Sequence, residues 1–221
     1  YESLWYHRAL RTLPFSIRRA LREDGDLVPP GWAPDAADVE RDLGRTPTEI
    51  AAAYRWFSTV ARHRGTDPST WLGRVGFAEL GEQEFWRALD EEFCLKTRPP
   101  VVLVPETAHY SWARSAGLLG YGKRQLWKIS VDETFRMSPA ALEDALRQAA
   151  SERRPVLQVV AVLGSTEFGT VDPLADLVAV RDRVAADAHV WAPIHVDAAF
   201  GGYFAAMFRP GSLQPAVEPS V

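Results

Sequence analysis

The chain has 221 residues, of which 47% are hydrophobic and 24% charged, a composition typical of a globular protein with one or two domains and not of a disordered chain. Its formal net charge of -4, with Lys and Arg scattered along the chain, argues against a nucleic-acid-binding surface and favours a small-molecule partner. The single cysteine, Cys94, excludes an internal disulfide, and no run approaches the roughly twenty apolar residues of a membrane span, so we expect a soluble, cytoplasmic protein that does not bind membranes.

Helical periodicity dominates the first hundred residues. Residues 1–23 carry an apolar face that Pro14 interrupts, which predicts either two short helices or one kinked helix. The Gly-, Pro- and Asp-rich stretch that follows is typical of a loop, with a possible short helix in its middle. Apolar residues at steps of three and four then predict amphipathic helices over residues 46–63 and 81–96.

The pattern changes after Pro100, where short apolar or β-branched runs alternate with helical segments. The run "PVLQVVAVLG" is apolar at almost every position, which is typical of a strand buried on both faces in a parallel sheet covered by helices. Ligands of such open α/β sheets bind beyond the carboxyl ends of the strands. The predicted organisation is a helical and loop segment (1–97), an α/β cofactor-binding core (98–210) and a loop or truncated end (211–221).

One carboxylate stands where the last apolar run ends, in "PIHVDAAFGGYF" at residues 193–204. In an extended segment His195, Asp197 and Ala199 point to one face. A carboxylate at the rim of a buried sheet needs a cation or hydrogen-bond donors, because desolvation without a partner costs several kcal/mol. The partner could be a nearby arginine, a helix N-terminus or the protonated ring nitrogen of a cofactor, and the spacing alone leaves these alternatives open.

Two further polar segments follow predicted strands. In "AHYSWARSAGLLG", His109 lies between a strand and a helix, where a histidine most often caps or packs. In "VLGSTEFGTVDPL", Ser165 and Thr166 follow a strand, and Asp172 is expected to cap the next helix. The five histidines show no spacing typical of a zinc site, so no metal is expected.

Taken in order, "AHYSWARSAGLLG", "VVAVLGSTEFGTVDPL" and "HVDAAFGGYF" resemble the pyridoxal-phosphate-dependent group II amino-acid decarboxylases, which include the glutamate, aromatic amino-acid and tyrosine decarboxylases. The resemblance covers about residues 98–210. It implies a fold-type I large domain of α/β class with a mostly parallel sheet flanked by helices, pyridoxal 5'-phosphate as cofactor, a homodimer, and decarboxylation of an L-amino acid.

The resemblance also implies roles for individual residues. Asp197, which matches the aspartate of the family's His-x-Asp-Ala motif, would keep the pyridinium nitrogen of the cofactor protonated, so that the ring accepts the electron pair released on decarboxylation. His109, in the His-x-Ser motif, would stack on the ring, and Ala199 would pack against the opposite face. Thr166 would place a hydroxyl near the cofactor or substrate, while Ser165 replaces the usual threonine.

The family's covalently binding lysine has no match in this chain. Its only lysines, Lys96, Lys123 and Lys128, all precede Asp197. We therefore expect the chain to be the central part of a larger protein and to be inactive by itself. The alternatives are another fold-type I activity, such as an aminotransferase or lyase, or a non-catalytic remnant that binds no cofactor.

Overall fold

Helices fill the first half of the chain, and strands alternate with helices in the second half. The computed structural model describes residues 2–22, 27–33, 36–96 and 98–207. The described helices are α1 (Glu2–Arg22), α2 (Ala36–Arg41), α3 (Pro47–His63), α4 (Pro68–Val75), α5 (Phe77–Phe93), α6 (Ser111–Leu118), α7 (Pro139–Ser151), α8 (Leu174–Ala188) and α9 (Gly202–Met207). The strands are β1 (Val101–Pro105), β2 (Leu126–Ile129), β3 (Val156–Val162) and β4 (Ile194–Asp197). The predicted end segment 211–221 lies outside the described residues.

The strands form one sheet of order β2-β1-β3-β4, and every neighbouring pair is parallel. Each crossover between parallel strands contains a helix, as parallel pairing requires. The predicted α/β class, a mostly parallel sheet flanked by helices, is thus confirmed. Because all the strands run the same way, their carboxyl ends meet at one edge of the sheet.

The central strands β1 and β3 are buried at every position, as the continuous apolar runs predicted. On one face, Leu103 and Val159 pack in a cluster with α7 and α8. On the other face, Val102 and Val160 pack with Leu4 of α1 and Trp112 of α6. Helices therefore cover both faces of the sheet, and only its edges remain for a ligand.

Helix α1 continues through Pro14 as one helix. The sequence alone predicts either two short helices or one helix kinked at this proline. Its N-terminal turns lie against the sheet, where Ser3 donates a hydrogen bond of 2.7 Å to Oε1 of Gln158 on β3. Nδ1 of His7 lies 2.6 Å from the same oxygen. These contacts dock the first helix onto the centre of the sheet.

The structure differs from the sequence-based expectations at three helices. Helix α4, which Asp67 caps by accepting a hydrogen bond from the backbone N–H of Thr70, was not predicted. A short helical turn at the start of α5, residues 77–80, precedes the predicted helix, and the non-helical backbone of Gly81 (φ 74°, ψ 174°) separates this turn from it by a kink. The expected cap of α8 is wrong: Pro173 precedes the helix, and the Asp172 carboxylate accepts hydrogen bonds from other backbone groups.

Candidate active site

The residues that sequence reasoning selected lie at the carboxyl edge of the sheet. His109 follows β1, Thr166 follows β3, and Asp197 is the last residue of β4. Parallel strands place these positions on the same side of the molecule, as expected for a ligand site of an open α/β sheet. Ala199 lies two residues beyond the end of β4, in a turn. The strand therefore ends before Ala199, and the expected alternation of side chains extends only to His195 and Asp197.

Asp197 is half-buried and is held by an indole group. Nε1–H of Trp112 donates a hydrogen bond of 2.8 Å to Oδ2 of Asp197. The backbone N–H of Ala199 lies at 3.4 Å from Oδ1, a long and weak contact. Across the described ranges, no arginine or lysine forms an ion pair with Asp197, so a neighbouring cationic side chain does not account for this carboxylate.

Trp112 contacts β4 at two points. Its ring lies 5.5 Å from the ring of His195, centroid to centroid, with the planes at 65°. Since one indole reaches both His195 and Asp197, these two side chains share one face of β4, as the alternation predicted. Burial lowers the pKa of His195, and the negative charge of Asp197 partly opposes that shift. The imidazole therefore favours its neutral form beneath the carboxylate.

His109 is exposed in the turn before α6. Its Nδ1 accepts a hydrogen bond of 3.3 Å from the backbone N–H of Ser111 and lies 2.9 Å from the Ser111 hydroxyl. Its carbonyl oxygen accepts the backbone N–H of Trp112 at 3.2 Å. The first turn of α6 thus orients the imidazole at the edge of the sheet, and the same turn carries the indole that holds Asp197.

Two glycines bring the loops after β3 and β4 together. The backbone N–H of Gly201 donates to the carbonyl oxygen of Leu163 at 3.0 Å. A Cβ atom on Gly164 would lie 3.1 Å from the Cα atom of Gly201, and one on Gly201 would lie 2.2 Å from the Leu163 oxygen. Only glycine fits at this close approach. The contact places the loop that carries Thr166 next to the turn that follows Asp197.

The two hydroxyl residues of the β3 loop have different environments. Ser165 is buried, and its hydroxyl lies 2.8 Å from the hydroxyl of Thr170. Thr170 also donates its backbone N–H to Ser165, so this serine holds the loop in shape. Thr166 is exposed at the tip of the turn. Of the pair, Thr166 is the one whose hydroxyl a ligand at this edge can reach.

The large cavity in the described part of the molecule lies elsewhere. It measures about 810 Å³ and opens between α1, α5 and the segment that leads into β2, with Arg8, Phe77, Glu82 and Tyr121 in its wall. Pro99 and Gln125, which precede β1 and β2, also line it, so it adjoins the amino edge of the sheet. None of the predicted site residues borders it, and the candidate site is an open edge.

The residues at the carboxyl edge fit part of a pyridoxal phosphate site. Asp197 has one oxygen bound by a neutral donor and one with only a weak contact, so it retains capacity for a cationic ring nitrogen. An exposed imidazole and an exposed hydroxyl lie at the ends of neighbouring strands. A carboxylate without a cationic partner, an aromatic ring and a hydroxyl suit a flat, positively charged heterocycle.

Trp112 is the site residue that sequence reasoning missed. Its position in the helical segment after His109 is typical of a packing residue, and it is indeed only 8% exposed against the sheet. A signal was present in the sequence, since indole is a donor without an acceptor and a buried indole N–H usually finds a partner. That partner is 85 residues away along the chain, a distance that periodicity does not bridge.

The fold defines the class of the molecule: an open α/β protein, a class whose ligands bind at the carboxyl ends of the strands. Comparison with known proteins gives the family. Residues 86–218 match the model of the pyridoxal-dependent decarboxylase conserved domain, which is more than half of the chain. The chain belongs to the pyridoxal-dependent decarboxylase family. The expected fold-type I class and the expected cofactor, pyridoxal 5'-phosphate, are confirmed by this membership.

The chain is similar to L-tyrosine decarboxylases of Enterococcus faecalis and Levilactobacillus brevis, with 45% and 43% identity over 212 residues. These alignments cover 94% of the chain and 28% of each relative, so the chain spans less than a third of their length. An L-2,4-diaminobutyrate decarboxylase of Rhizobium meliloti is 41% identical over 102 residues, covering 46% of the chain and 19% of the relative. Among solved structures, mouse CSAD in its apo form matches 87% of the chain and 32% of its own, with 22% identity and a TM-score of 0.44.

Within the described segments, no group of three or more His, Cys, Asp or Glu residues is arranged to hold a metal ion. No helix in the same segments combines the length and apolar character needed to cross a membrane.

Proposed function

We propose that the whole protein removes the α-carboxylate of an L-amino acid with the help of pyridoxal 5'-phosphate, and that L-tyrosine is its substrate. The observation that carries the proposal is the carboxylate of Asp197. It ends a strand of a parallel sheet, lies within the segment that matches the family model and has no cationic partner in the described chain. The cofactor, when bound, supplies an electron sink for the bond that breaks.

Each residue at the edge has a role in this proposal. Asp197 holds a proton at the ring nitrogen by its negative charge. His109, oriented by Ser111, covers one face of the ring, and Ala199 covers the other face from the turn after β4. Thr166 presents its hydroxyl to the polar edge of the cofactor or to the substrate. Together these groups orient the ring and exclude water from its faces.

The choice of L-tyrosine rests on the extent of the similarity. Three L-tyrosine decarboxylases, from Levilactobacillus brevis, Enterococcus faecium and Enterococcus faecalis, align with 94% of the chain. Those alignments therefore include nearly all of the helical segment 1–97, which lies outside the motifs of the α/β core. The diaminobutyrate decarboxylase aligns with less than half of the chain. Similarity outside the cofactor core therefore supports L-tyrosine over L-2,4-diaminobutyrate.

The lysine that binds the cofactor covalently is proposed to lie outside this chain. Lys96 and Lys123 precede β1 and β2, at the edge of the sheet opposite to Asp197. Lys128 lies within β2, the strand furthest from β4 in the sheet order. We therefore expect the 221-residue chain to lack decarboxylase activity by itself.

A homodimer is part of the proposal. Several large apolar side chains near the carboxyl edge are exposed in the described chain: Val196, Phe200, Tyr203, Phe204 and Met207. A group of exposed apolar side chains along one short segment is typical of a surface that another subunit or segment covers. Light scattering of the whole protein tests the dimer, and a monomer at micromolar concentration would contradict it.

The experiment measures carbon dioxide and amine formation by the whole protein with pyridoxal phosphate, with L-tyrosine, L-glutamate, L-aspartate and L-2,4-diaminobutyrate offered in parallel. We expect turnover of L-tyrosine and a loss of at least about a hundredfold in Asp197→Asn, since the carboxylate stabilises charge in the reaction itself. The matched control is Asp176→Asn, an exposed carboxylate in the first turn of α8.

Each outcome decides one part of the proposal. Consumption of the amino acid without release of carbon dioxide, or no turnover of any amino acid at saturating cofactor, contradicts the decarboxylase. Turnover of another amino acid in preference to L-tyrosine contradicts the substrate alone. If Asp197→Asn and Asp176→Asn are equally active, the role of Asp197 is wrong.

A further inference from the structure

A single residue connects His109 and Asp197, the two parts of the candidate site. Trp112 lies in the first turn of α6, and its backbone N–H donates to the carbonyl oxygen of His109 at 3.2 Å. Its indole Nε1–H donates to Oδ2 of Asp197 at 2.8 Å. The residue that binds the backbone of His109 is therefore also the one that holds the carboxylate, although His109 follows β1 and Asp197 ends β4.

We propose that Trp112 is a positioning residue for the cofactor: it fixes the carboxylate of Asp197 so that Oδ1 faces the ring nitrogen. This inference rests on the proposed role of Asp197. Trp112 would not touch the cofactor itself, and it would act only through the carboxylate.

The packing of the indole makes it a rigid donor. Trp112 is 8% exposed and belongs to the cluster that Leu4, Val104 and Val160 form between α1, α6 and the sheet. The edge of its ring lies against His195. A buried aromatic ring with contacts on several sides cannot rotate freely, and its single N–H has a fixed direction. The hydrogen bond therefore sets the rotation of the Asp197 carboxylate.

The two carboxylate oxygens become inequivalent as a result. Oδ2 is engaged at 2.8 Å, whereas Oδ1 has only the long contact of 3.4 Å with the backbone N–H of Ala199. Oδ1 thus retains most of its capacity to accept a further donor. The free oxygen belongs to a carboxylate whose orientation is already fixed, which reduces the entropy lost when a cation binds to it.

The neutrality of the donor is equally important. An arginine in this position would pair with the carboxylate and cancel its charge, so that a cationic ligand would have to displace it. An indole N–H orients the carboxylate and leaves its negative charge in place. Trp112 therefore meets both needs of a partner for a protonated ring nitrogen: a fixed geometry and an uncompensated charge.

The test compares two ligands of the whole protein: pyridoxal 5'-phosphate and its analogue with carbon in place of the ring nitrogen. The dissociation constant of each is measured by absorbance titration for the wild type and for Trp112→Phe. Because Trp112 acts only through the orientation of Asp197, we expect Trp112→Phe to weaken the affinity for pyridoxal phosphate about threefold to tenfold. No change is expected for the analogue, because it has no ring nitrogen for Asp197 to bind.

Two further variants keep the result interpretable. Trp71→Phe makes the same change at another buried tryptophan, in the cluster between α1, α3 and α4, and should leave both dissociation constants unchanged. Replacement of Trp112 by benzothienylalanine, which has sulfur in place of the indole N–H, removes the donor and keeps the shape of the ring. This replacement should weaken pyridoxal phosphate binding as Trp112→Phe does, and it tests the donor even if the phenylalanine variant folds poorly.

An equal loss of affinity for both ligands, or no loss for either, would overturn the positioning role. Asp197→Asn separates this failure from a failure of the proposed function. If Asp197→Asn weakens pyridoxal phosphate selectively while the Trp112 variants do not, the role of Asp197 stands and that of Trp112 is wrong. If Asp197→Asn shows no selectivity between the ligands, the proposed contact with the ring nitrogen is wrong, and the inference about Trp112 fails with it.

Discussion

At the scale of single residues, the buried carboxylate of Asp172 shows how a polar group can stabilise the loops that carry the site. Its two oxygens accept the backbone N–H groups of Met137 and Val162, each at 2.7 Å. Burial raises the pKa of Asp172, and these two donors partly oppose the shift. The carboxylate thus joins the end of β3 to the segment before α7.

Asp172→Ala is expected to destabilise this junction, because it leaves two backbone N–H groups without their partner. An unsatisfied buried donor costs about 1–3 kcal/mol. Amide hydrogen exchange should become faster in the peptides that contain Met137 and Val162. The control Asp176→Ala removes an exposed carboxylate at the start of α8 and should cost less than about 1 kcal/mol. Unchanged rates of amide hydrogen exchange in both peptides would show that the two hydrogen bonds to Asp172 contribute little to stability.

A second prediction at this scale concerns Gly201. A Cβ atom there would lie 2.2 Å from the backbone oxygen of Leu163, so Gly201→Ala must push the loops after β3 and β4 apart. We expect a loss of about 1–3 kcal/mol in the free energy of unfolding, measured with urea, together with weaker cofactor binding. Gly117→Ala in α6 is the control: its Cβ atom meets nothing within 4 Å, and alanine should stabilise the helix by about 0.5–1 kcal/mol. Equal stability of the two variants would contradict the close packing of these loops.

At the scale of elements, charged residues fix the first helix to the segment that follows it. Arg18 of α1 and Arg45 both pair with Asp38 of α2 and with Asp42, and all four side chains are buried. The ring of Trp32 lies 3.9 Å from the guanidinium of Arg45 and 4.8 Å from that of Arg18. The network contains two positive and two negative charges. Charged side chains are tolerated in a protein interior when they are paired in this way.

Asp42→Ala should be among the most destabilising single changes in the helical segment. It leaves both guanidinium groups with one carboxylate, and breaking a buried pair costs about 3–5 kcal/mol. The measurement is the free energy of unfolding from urea titration. Glu91→Ala, which breaks the exposed pair with Arg87 on α5, is the control and should cost less than about 0.5 kcal/mol. Similar losses in the two variants would mean that the network is not part of the stable core.

Elements with a clear period were predictable, whereas contacts between distant elements were not. The continuous apolar runs predicted the buried strands β1 and β3, and the family motifs placed His109 and Asp197 at strand ends. Helix α4 was missed because its eight residues are too few to display a period. Asp172 was interpreted as a cap because an Asp-Pro pair before a helix favours one, but the N–H groups of two other segments bind it in the fold. Tertiary contacts of this kind do not follow from local spacing.

At the scale of the whole molecule, the contact between α1 and the sheet depends on two histidines. His7 on α1 approaches Gln158 of β3, and His195 lies on the neighbouring strand β4. Burial is the largest cause that lowers the pKa of each histidine. The neighbouring His195 lowers the pKa of His7 further through the repulsion between the two positive charges. Both rings therefore resist protonation in the folded state.

The stability of this contact should consequently fall in mild acid. A histidine whose pKa is lowered on folding adds stability above its unfolded pKa of about 6.5, and that stability is lost as the pH falls toward the folded value, since the unfolded chain then binds more protons. We expect the free energy of unfolding to decrease between pH 7 and about pH 5, and the decrease to be smaller in His7→Gln. The control is His63→Gln, which removes an exposed histidine of α3, so that the two variants contain the same number of histidines. If the free energy of unfolding of His7→Gln falls with pH as steeply as that of the wild type, protonation of the buried ring is not what weakens the docking of α1 in acid.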